Sequence, residues 1–448
     1  MANQTGILRI GTGAGFSSDR LDPAIQLVAQ GSLDVIVFEC LGERTLAFAH
    51  RDMQSPNGMG YNPLLAKRMK HLLPLCSQHN TRLITNMGAA DPLAAALRTS
   101  EIASLNRLEH LNIAAVLGDD VTHLITPDTE LIEPECTVAQ IGRPMIGANA
   151  YLGAQSITPA LADGADIVIT GRVADPSLFL APIQAHFGWS NNDWQELASG
   201  TVAGHLMECA AQVTGGYFAD PGFKEVEDLA RVGFPIAEIS RDGSLVITKL
   251  PTAGGRVDSQ TVKEQLYYEV HDPSAYITPD VIADFSMIEL NDQGDNRVVV
   301  RGAKGRSRTE TLKVTIAFDG GYLAEAEISY AGPGALRRAQ LAGEIISQRL
   351  DTLHGSNKER RIDMIGAASL HASAGKFSQN STDIRLRCAL RTPDHEEAKN
   401  VLWEIEALLC CGPAGGGGYR GHITPSVLTY SALLERDQVK TTVEFIPV

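Results

Sequence analysis

His205, Glu208, Cys209 and Gln212 recur at i, i+3, i+4 and i+7. In a helix running from Thr201 to Val213, that spacing puts an imidazole, a carboxylate, a thiol and an amide on one face. A solvated helix face normally shows Lys, Glu and Arg, so this stripe is either a hydrogen-bonded polar seam or one wall of an active site. On the second reading His205 and Glu208 shuttle a proton. Glu208 then holds the imidazole above its ordinary value of about 6.5. A histidine four residues before Cys209 can also lower the thiol pKa, and Cys40 is the other candidate nucleophile. There is no H-E-x-x-H and no C-x-x-C, so no metal centre is assigned, although a divalent metal near His205 stays open.

A second group of chemically able residues stands where apolar runs end. Glu39 follows Asp34-Val-Ile-Val-Phe, Asn86 follows Arg82-Leu-Ile-Thr, and Asp119 and Asp120 follow a run to Leu117. Arg172 follows Ala165-Asp-Ile-Val-Ile-Thr-Gly, and Asn149 lies in a weaker extended stretch. Glu43 and Arg44 come shortly after Glu39. In this reading Glu39 or Glu43 is the general base, and Arg172 or Arg44 clamps a carboxylate.

These residues need elements to position them. Short β-branched runs alternate with helical patterns from Leu8 to about Val213, which reads as a mainly parallel, doubly wound sheet. All the loops after its strands then lie at one carboxyl edge, where ligands bind. Asp22, Asp91 and Asp175, each followed by proline, read as helix caps. A β/α barrel is the alternative. After Asp220 the texture changes to alternating strands and then helices, an α+β pattern. The expected division is an α/β domain over residues 1–235 and an α+β domain over residues 236–448.

Two glycine loops stand out. Gly11-Thr-Gly13-Ala-Gly15, with Arg20 nearby, falls short of a dinucleotide fingerprint because the spacing is G-x-G-x-G and the next helix begins only at Asp22. It reads instead as backbone approaching an anionic group. Residues 412–421 include four consecutive glycines followed by Tyr419 and Arg420, whose side chains could close over an anion held by the loop amides.

The 448 residues carry a formal charge of −15, which argues against affinity for nucleic acid or an anionic membrane surface. Apolar residues at 44% and charged residues at 20% are those of an ordinary globular protein, and no apolar run is long enough to span a bilayer. With no leader signature at the N-terminus and scattered cysteines, a cytoplasmic location is expected. No redox cofactor is expected, and the partners expected are a small-molecule substrate and further copies of the chain.

Several motifs together resemble the AtuA, or acyclic terpene utilisation, family. They are Gly13-Ala-Gly-Phe16, Phe38-Glu-Cys-Leu-Gly-Glu-Arg-Thr45, Thr85-Asn-Met-Gly-Ala89, Gly118-Asp-Asp120, Ile169-Thr-Gly-Arg172, Ala174-Asp-Pro176, Gly204-His205 and Gln212-Val-Thr-Gly-Gly-Tyr-Phe218. The resemblance implies a setting in terpene breakdown through acyl-CoA intermediates and implies no particular reaction. Taken with the residues, it leaves two functions open. One is a hydrolase or lyase acting on a small carboxylate or acyl thioester; the other is a non-catalytic ligand-binding or scaffold subunit.

Overall fold

A computed structural model describes residues 6–355, 359–369 and 381–448. The chain forms two compact units, one of Met1–Gly142, Ile146–Ala317 and Thr429–Val448, the other of Arg143–Met145 and Phe318–Leu428.

In the first unit, strands β1 (Leu8–Ala14), β2 (Val35–Phe38), β3 (Arg82–Thr85) and β4 (Ile113–Leu117) alternate with helices α1 (Asp22–Gln30), α2 (Glu43–Met53), α3 (Leu65–His79) and α4 (Pro92–Leu105). Strand β5 (Met145–Ala150), α5 (Thr158–Ala162), β6 (Ile167–Thr170), α6 (Asp175–Phe187) and α7 (Trp194–Glu208) follow. Then come β7 (Pro235–Ile239), β8 (Leu245–Lys249) and α8 (Ser259–Leu266). The large sheet has ten strands in the order Glu289–Asp292, Val298–Arg301, β8, β7, β1, β2, β3, β6, β4, Thr442–Ile446. Its centre, from β1 to β4, is parallel. The strands added on either side are antiparallel. The sheet is therefore mixed, and its path has two ends instead of closing into the barrel weighed as the alternative.

Every residue of β2 and β6 is buried, as continuous apolar runs in a covered sheet require. The side-chain period of two divides these strands between two faces. Ile36, Phe38, Leu83, Ile113, Ala115, Ile167 and Ile169 share one core with Leu27, Val28, Met69, Leu72 and Ala96 of α1, α3 and α4. Helices α6 and α7 also contact β1.

The expected division near residue 235 is not where the chain separates. Strand β7 begins there and pairs with β1 from Leu8↔Ile239 to Gly11↔Ile236, so residues up to Ala317 stay with the first unit. A change from alternating to antiparallel texture can extend an existing sheet as readily as begin a new domain. Of the three expected caps, only Asp91 accepts a helix N–H, from Ala94 at 2.9 Å. Asp22 and Asp175 are the first residues of α1 and α6 and make no capping bond.

Arg360–Ile365, Asp383–Thr392, Thr311–Ala331 and Gly417–Glu435 lie in that order in another sheet, whose residues from Phe318 to Leu428 belong to the second unit. Helices Ala335–His354 and His395–Glu406 cover the face carrying Ala324, Ala326, Ile328, Tyr330, Ile384, Leu386, Cys388 and Leu390. The sequence suggests two strands on either side of Gly320-Gly321, but Thr311–Ala331 is one continuous strand.

The first glycine loop is filled by the protein itself. A Cβ on Gly13 would lie 2.3 Å from the Phe38 ring, and one on Gly15 would lie 2.5 Å from the carbonyl carbon of Cys209. These glycines admit neighbouring protein atoms where an anion was expected. Gly15→Ala is expected to destabilise the fold by about 1–3 kcal/mol through overpacking against rigid backbone. A urea denaturation midpoint equal to that of the wild type would show that the close approach is not needed.

Candidate functional site

The parallel strands bring Glu39, Asn86, Asp119 and Arg172 to one edge, where they join a single buried network. Glu39 Oε1 accepts from the Leu41 amide at 2.8 Å and from Asn86 Nδ2 at 2.9 Å, while Asn86 Oδ1 accepts from the Cys40 amide at 2.7 Å. Asp119 Oδ2 accepts from the Arg172 amide at 2.7 Å and from Asn149 Nδ2 at 2.8 Å. Asn149 Oδ1 lies 2.5 Å from Nε2 of His50, a buried histidine on α2. Gly147 makes room for that imidazole, since a Cβ there would sit 2.5 Å from it.

Arg172 is the hub. Its side chain is 3% exposed. It donates to the Leu41 carbonyl and, at 2.9 Å, to Asp175 Oδ1, while Nε has no partner. The guanidinium lies 4.1 Å from the centre of the Tyr151 ring. Lys313 Nζ lies 4.7 Å from the same ring and 3.2 Å from Glu43 Oε1, which also accepts from the Tyr151 hydroxyl.

This arrangement drives the carboxyls apart in protonation. Burial, reinforced by the Asp175 charge, pushes Glu39 up to about 8 despite its two donors and Arg172. Glu43 feels burial too. Arg172, Tyr151, its own amide at the start of α2, and Lys313 together hold it at about 2. Burial also raises Asp119 to about 6 and Asp175 above its ordinary value, the latter against the pull of Arg172.

A cavity of about 210 Å³ adjoins this cluster, lined by Tyr151, Asp175, Tyr276, Thr278, Thr311 and Lys313 among others. None of the residues singled out from the sequence as catalytic or ligand-binding lines it. Glu43 and Arg172 stand directly behind the wall, touching Tyr151, Lys313 and Asp175. A larger cavity of about 910 Å³ opens at the opposite edge, beside Leu8, Val35 and Arg82 where strands begin, away from every candidate residue. The smaller cavity is the better candidate because Asp175, whose carboxyl is raised, lines it and Glu43 stands behind its wall.

The helical stripe takes a different form from the one expected. Helix α7 ends at Glu208, and Ala210 turns to φ 46°, so Cys209 and Gln212 do not continue the helical face. His205 is 1% exposed; Nδ1 meets Glu208 Oε1 at 3.0 Å and Nε2 meets the Leu266 carbonyl at 3.2 Å. The ring sits among Tyr276 and Phe285, at centroid distances of 5.1 and 5.4 Å. Burial lowers the imidazole to about 4 although both backbone neighbours favour the proton. The expected rise above about 6.5 is thus reversed, because desolvation outweighs the backbone of Leu266 and Gln265 and the Glu269 charge. Burial and the Asp175 charge raise Glu208 well above its ordinary range. The consistent assignment is a neutral pair: Nε2–H donates to Leu266, and a protonated Glu208 donates to Nδ1. Burial likewise raises the Cys209 thiol and pushes Cys40 up to about 12, so neither is an activated nucleophile.

Among the described residues, the remaining candidates make no side-chain hydrogen bond or ion pair with this network. Arg20 donates to the Ala230 carbonyl at 3.1 Å, exposed Arg44 lies over Phe48, and exposed Asp120 accepts from the Thr122 amide at 2.9 Å in a turn. Tyr419 and Arg420 belong to the second unit, where the Tyr419 hydroxyl donates to the Leu402 carbonyl at 3.3 Å. Sequence reasoning missed Tyr151, Lys313, His50 and Tyr276 as site residues. Tyr151 follows Asn149 by two, a legible hint of a shared face, whereas Lys313 lies in a strand distant in sequence and had no local signal. Among the described residues no cluster of three or more His, Cys, Asp or Glu is arranged to hold a metal, and no helix is long and apolar enough to cross a membrane.

The family model described as acyclic terpene utilisation family protein AtuA matches residues 8–445. No curated protein and no solved structure matches the chain.

His205→Ala is expected to cost roughly 2–4 kcal/mol, through the void and the abandoned Glu208 and Leu266 groups. Chemical denaturation with an unchanged midpoint would contradict this. For Glu39, the folded value of about 8 lies above the ordinary 4.5, so the native state binds more protons between those pH values. Its contribution is fully present below about 4.5 and is lost as the pH rises through 8. Glu39→Gln keeps an acceptor for Leu41 and Asn86 and should remove roughly 2–4 kcal/mol of the stability decline between pH 5 and 9. Denaturation at both pH values, with equal slopes in variant and wild type, would refute the shift.

Proposed function

The chain belongs to the acyclic terpene utilisation family, and from that premise we propose that it is an acid–base enzyme of hydrolase or lyase type. Its substrate is a small carboxylate or the acyl end of a thioester, and no redox cofactor takes part. One observation carries this reading. Glu43, held at about 2, and Asp175, raised above its ordinary value, both act on the buried Arg172 guanidinium, and Asp175 lines the cavity. Carboxyls whose surroundings force them into opposite protonation states are what acid–base catalysis at neutral pH requires.

The roles are distributed over residues other than those first assigned. Lys313 takes over the carboxylate clamp, since Arg172 is buried and engaged while Lys313 lines the cavity. Asp175, which touches both the cavity and Arg172, is the acid–base residue in contact with substrate. Glu43 is the fixed negative charge that orients Tyr151 and Lys313. Glu39 and Arg172 are positioning residues that set the charge on Asp175. The His205–Glu208 pair supports Tyr276 from behind, which follows from its burial and ring contact.

Lys313→Ala should abolish the thermal stabilisation that small carboxylates give the wild type, and Asp175→Asn should retain binding but lower turnover about 10²–10⁴-fold. The checks are a thermal-shift titration and a turnover assay over acyl thioesters and short carboxylic acids. Carboxylate binding that survives Lys313→Ala would remove this site. Binding without turnover in the wild type would leave the ligand-binding subunit.

A further inference from the structure

Two tyrosines line the 210 Å³ cavity, and they use their hydroxyls differently. Tyr151 donates to Glu43 Oε1. The Tyr276 hydroxyl has no hydrogen-bond partner among the described residues, and it keeps access to open space. Thr278 and Thr309, also at the cavity, donate to the Val281 and Thr311 carbonyls at 2.9 and 2.8 Å.

The rest of Tyr276 is held in place. It belongs to the short strand Tyr276–Ile277, which pairs antiparallel with Ile282–Asp284. Its ring stacks on Phe285 at a centroid distance of 4.8 Å, and the His205 ring lies 5.1 Å away. A ring clamped in this way has little freedom left to lose when its hydroxyl takes up an acceptor. Burial, followed by the Glu208 and Asp175 carboxyls, raises the phenol well above its ordinary value of 10.0, so it remains an O–H donor at neutral pH. The cavity therefore presents two separate donors, the Lys313 ammonium and the Tyr276 hydroxyl, carried by different strands. A plain carboxylate on Lys313 would bury the Tyr276 hydroxyl without an acceptor, and a site built to hydrogen-bond an oxygen rejects the analogue that lacks it.

We propose that Tyr276 is a catalytic residue that donates a hydrogen bond to the substrate, and that the substrate is a hydroxy or oxo acid, free or as its thioester. This rests on the acid–base reading of the same cavity. Lys313 takes the carboxyl end, and the second oxygen accepts from Tyr276 next to Asp175. Pro176, Pro279 and Leu312 supply apolar contact for the carbon chain between them. The Tyr276 bond strengthens as negative charge gathers on that oxygen, so the residue assists the reaction without giving up its proton.

Isothermal titration of the full chain tests this by comparing propionate and butyrate with lactate, pyruvate, β-hydroxybutyrate and acetoacetate. At least one oxygenated acid is expected to bind about tenfold tighter than the plain acid of the same length. Tyr276→Phe keeps the ring and its contacts with His205 and Phe285, so its urea midpoint should not fall below that of the wild type. It should erase the preference while changing the affinity for the plain acids less than about twofold. Equal affinities for plain and oxygenated acids, or a preference that survives Tyr276→Phe, would overturn the proposal and leave the cavity reading standing. Loss of plain-acid binding in Tyr276→Phe would show a structural role and overturn it too. Binding of no acid by the wild type, or binding undiminished by Lys313→Ala, would remove the cavity reading itself and this proposal with it.

Discussion

A guanidinium that is almost wholly removed from water has to be neutralised where it stands, and Arg172 sets this demand on everything around it. Asp175 at the start of α6, the Leu41 carbonyl before α2 and the Tyr151 ring after β5 all converge on it. Each comes from a different strand-to-helix passage, so the charge ties several loops of the edge into one arrangement. The carboxyls outnumber the cation. Glu39, Glu43, Asp175 and Glu208 all feel it, and one positive charge cannot hold all four ionised. Those with the least further support are pushed toward the protonated state. Glu43, with Tyr151, Lys313 and a helix amide beside it, stays charged.

The same competition explains the helical stripe. A carboxylate beside an imidazole raises its pKa only while water or the protein can support both charges. Between α7 and the rings of Tyr276 and Phe285 neither condition holds, and the cheaper state is a hydrogen bond between two neutral groups. The polar face read from the spacing is therefore an interior contact, and its imidazole packs against Tyr276, which lines the cavity.

The two glycine loops show that composition alone does not say what a glycine packs against. At Gly13 and Gly15 the missing Cβ atoms make room for Phe38 and for the turn at Cys209. At Gly415 and Gly416 the neighbours are the Arg338 guanidinium and the side chains of Ile328 and Tyr330. What a glycine faces distinguishes the cases, and that is a tertiary property.

Much of the fold was legible because apolar period and turn chemistry act locally. The runs that became β2, β3, β4 and β6, the Pro-started helices α1 and α4, and the gathering of Glu39, Asn86, Asp119 and Arg172 at one edge all follow from that local code. Family membership was legible too, since short motifs in order survive without any knowledge of their contacts. Other features could be decided only by the folded chain. Pairing of β7 with β1 moved the boundary between units, because hydrogen bonding along a sheet edge leaves no mark on the sequence of the strand that joins it. Lys313 reached Glu43 across 270 positions, a partnership with no local signature. The signs of the pKa shifts at His205 and Glu39 depended on how completely each was removed from water. Residue types and spacing state which groups can titrate; only burial, which the whole tertiary structure creates, determines which of them keep their protons.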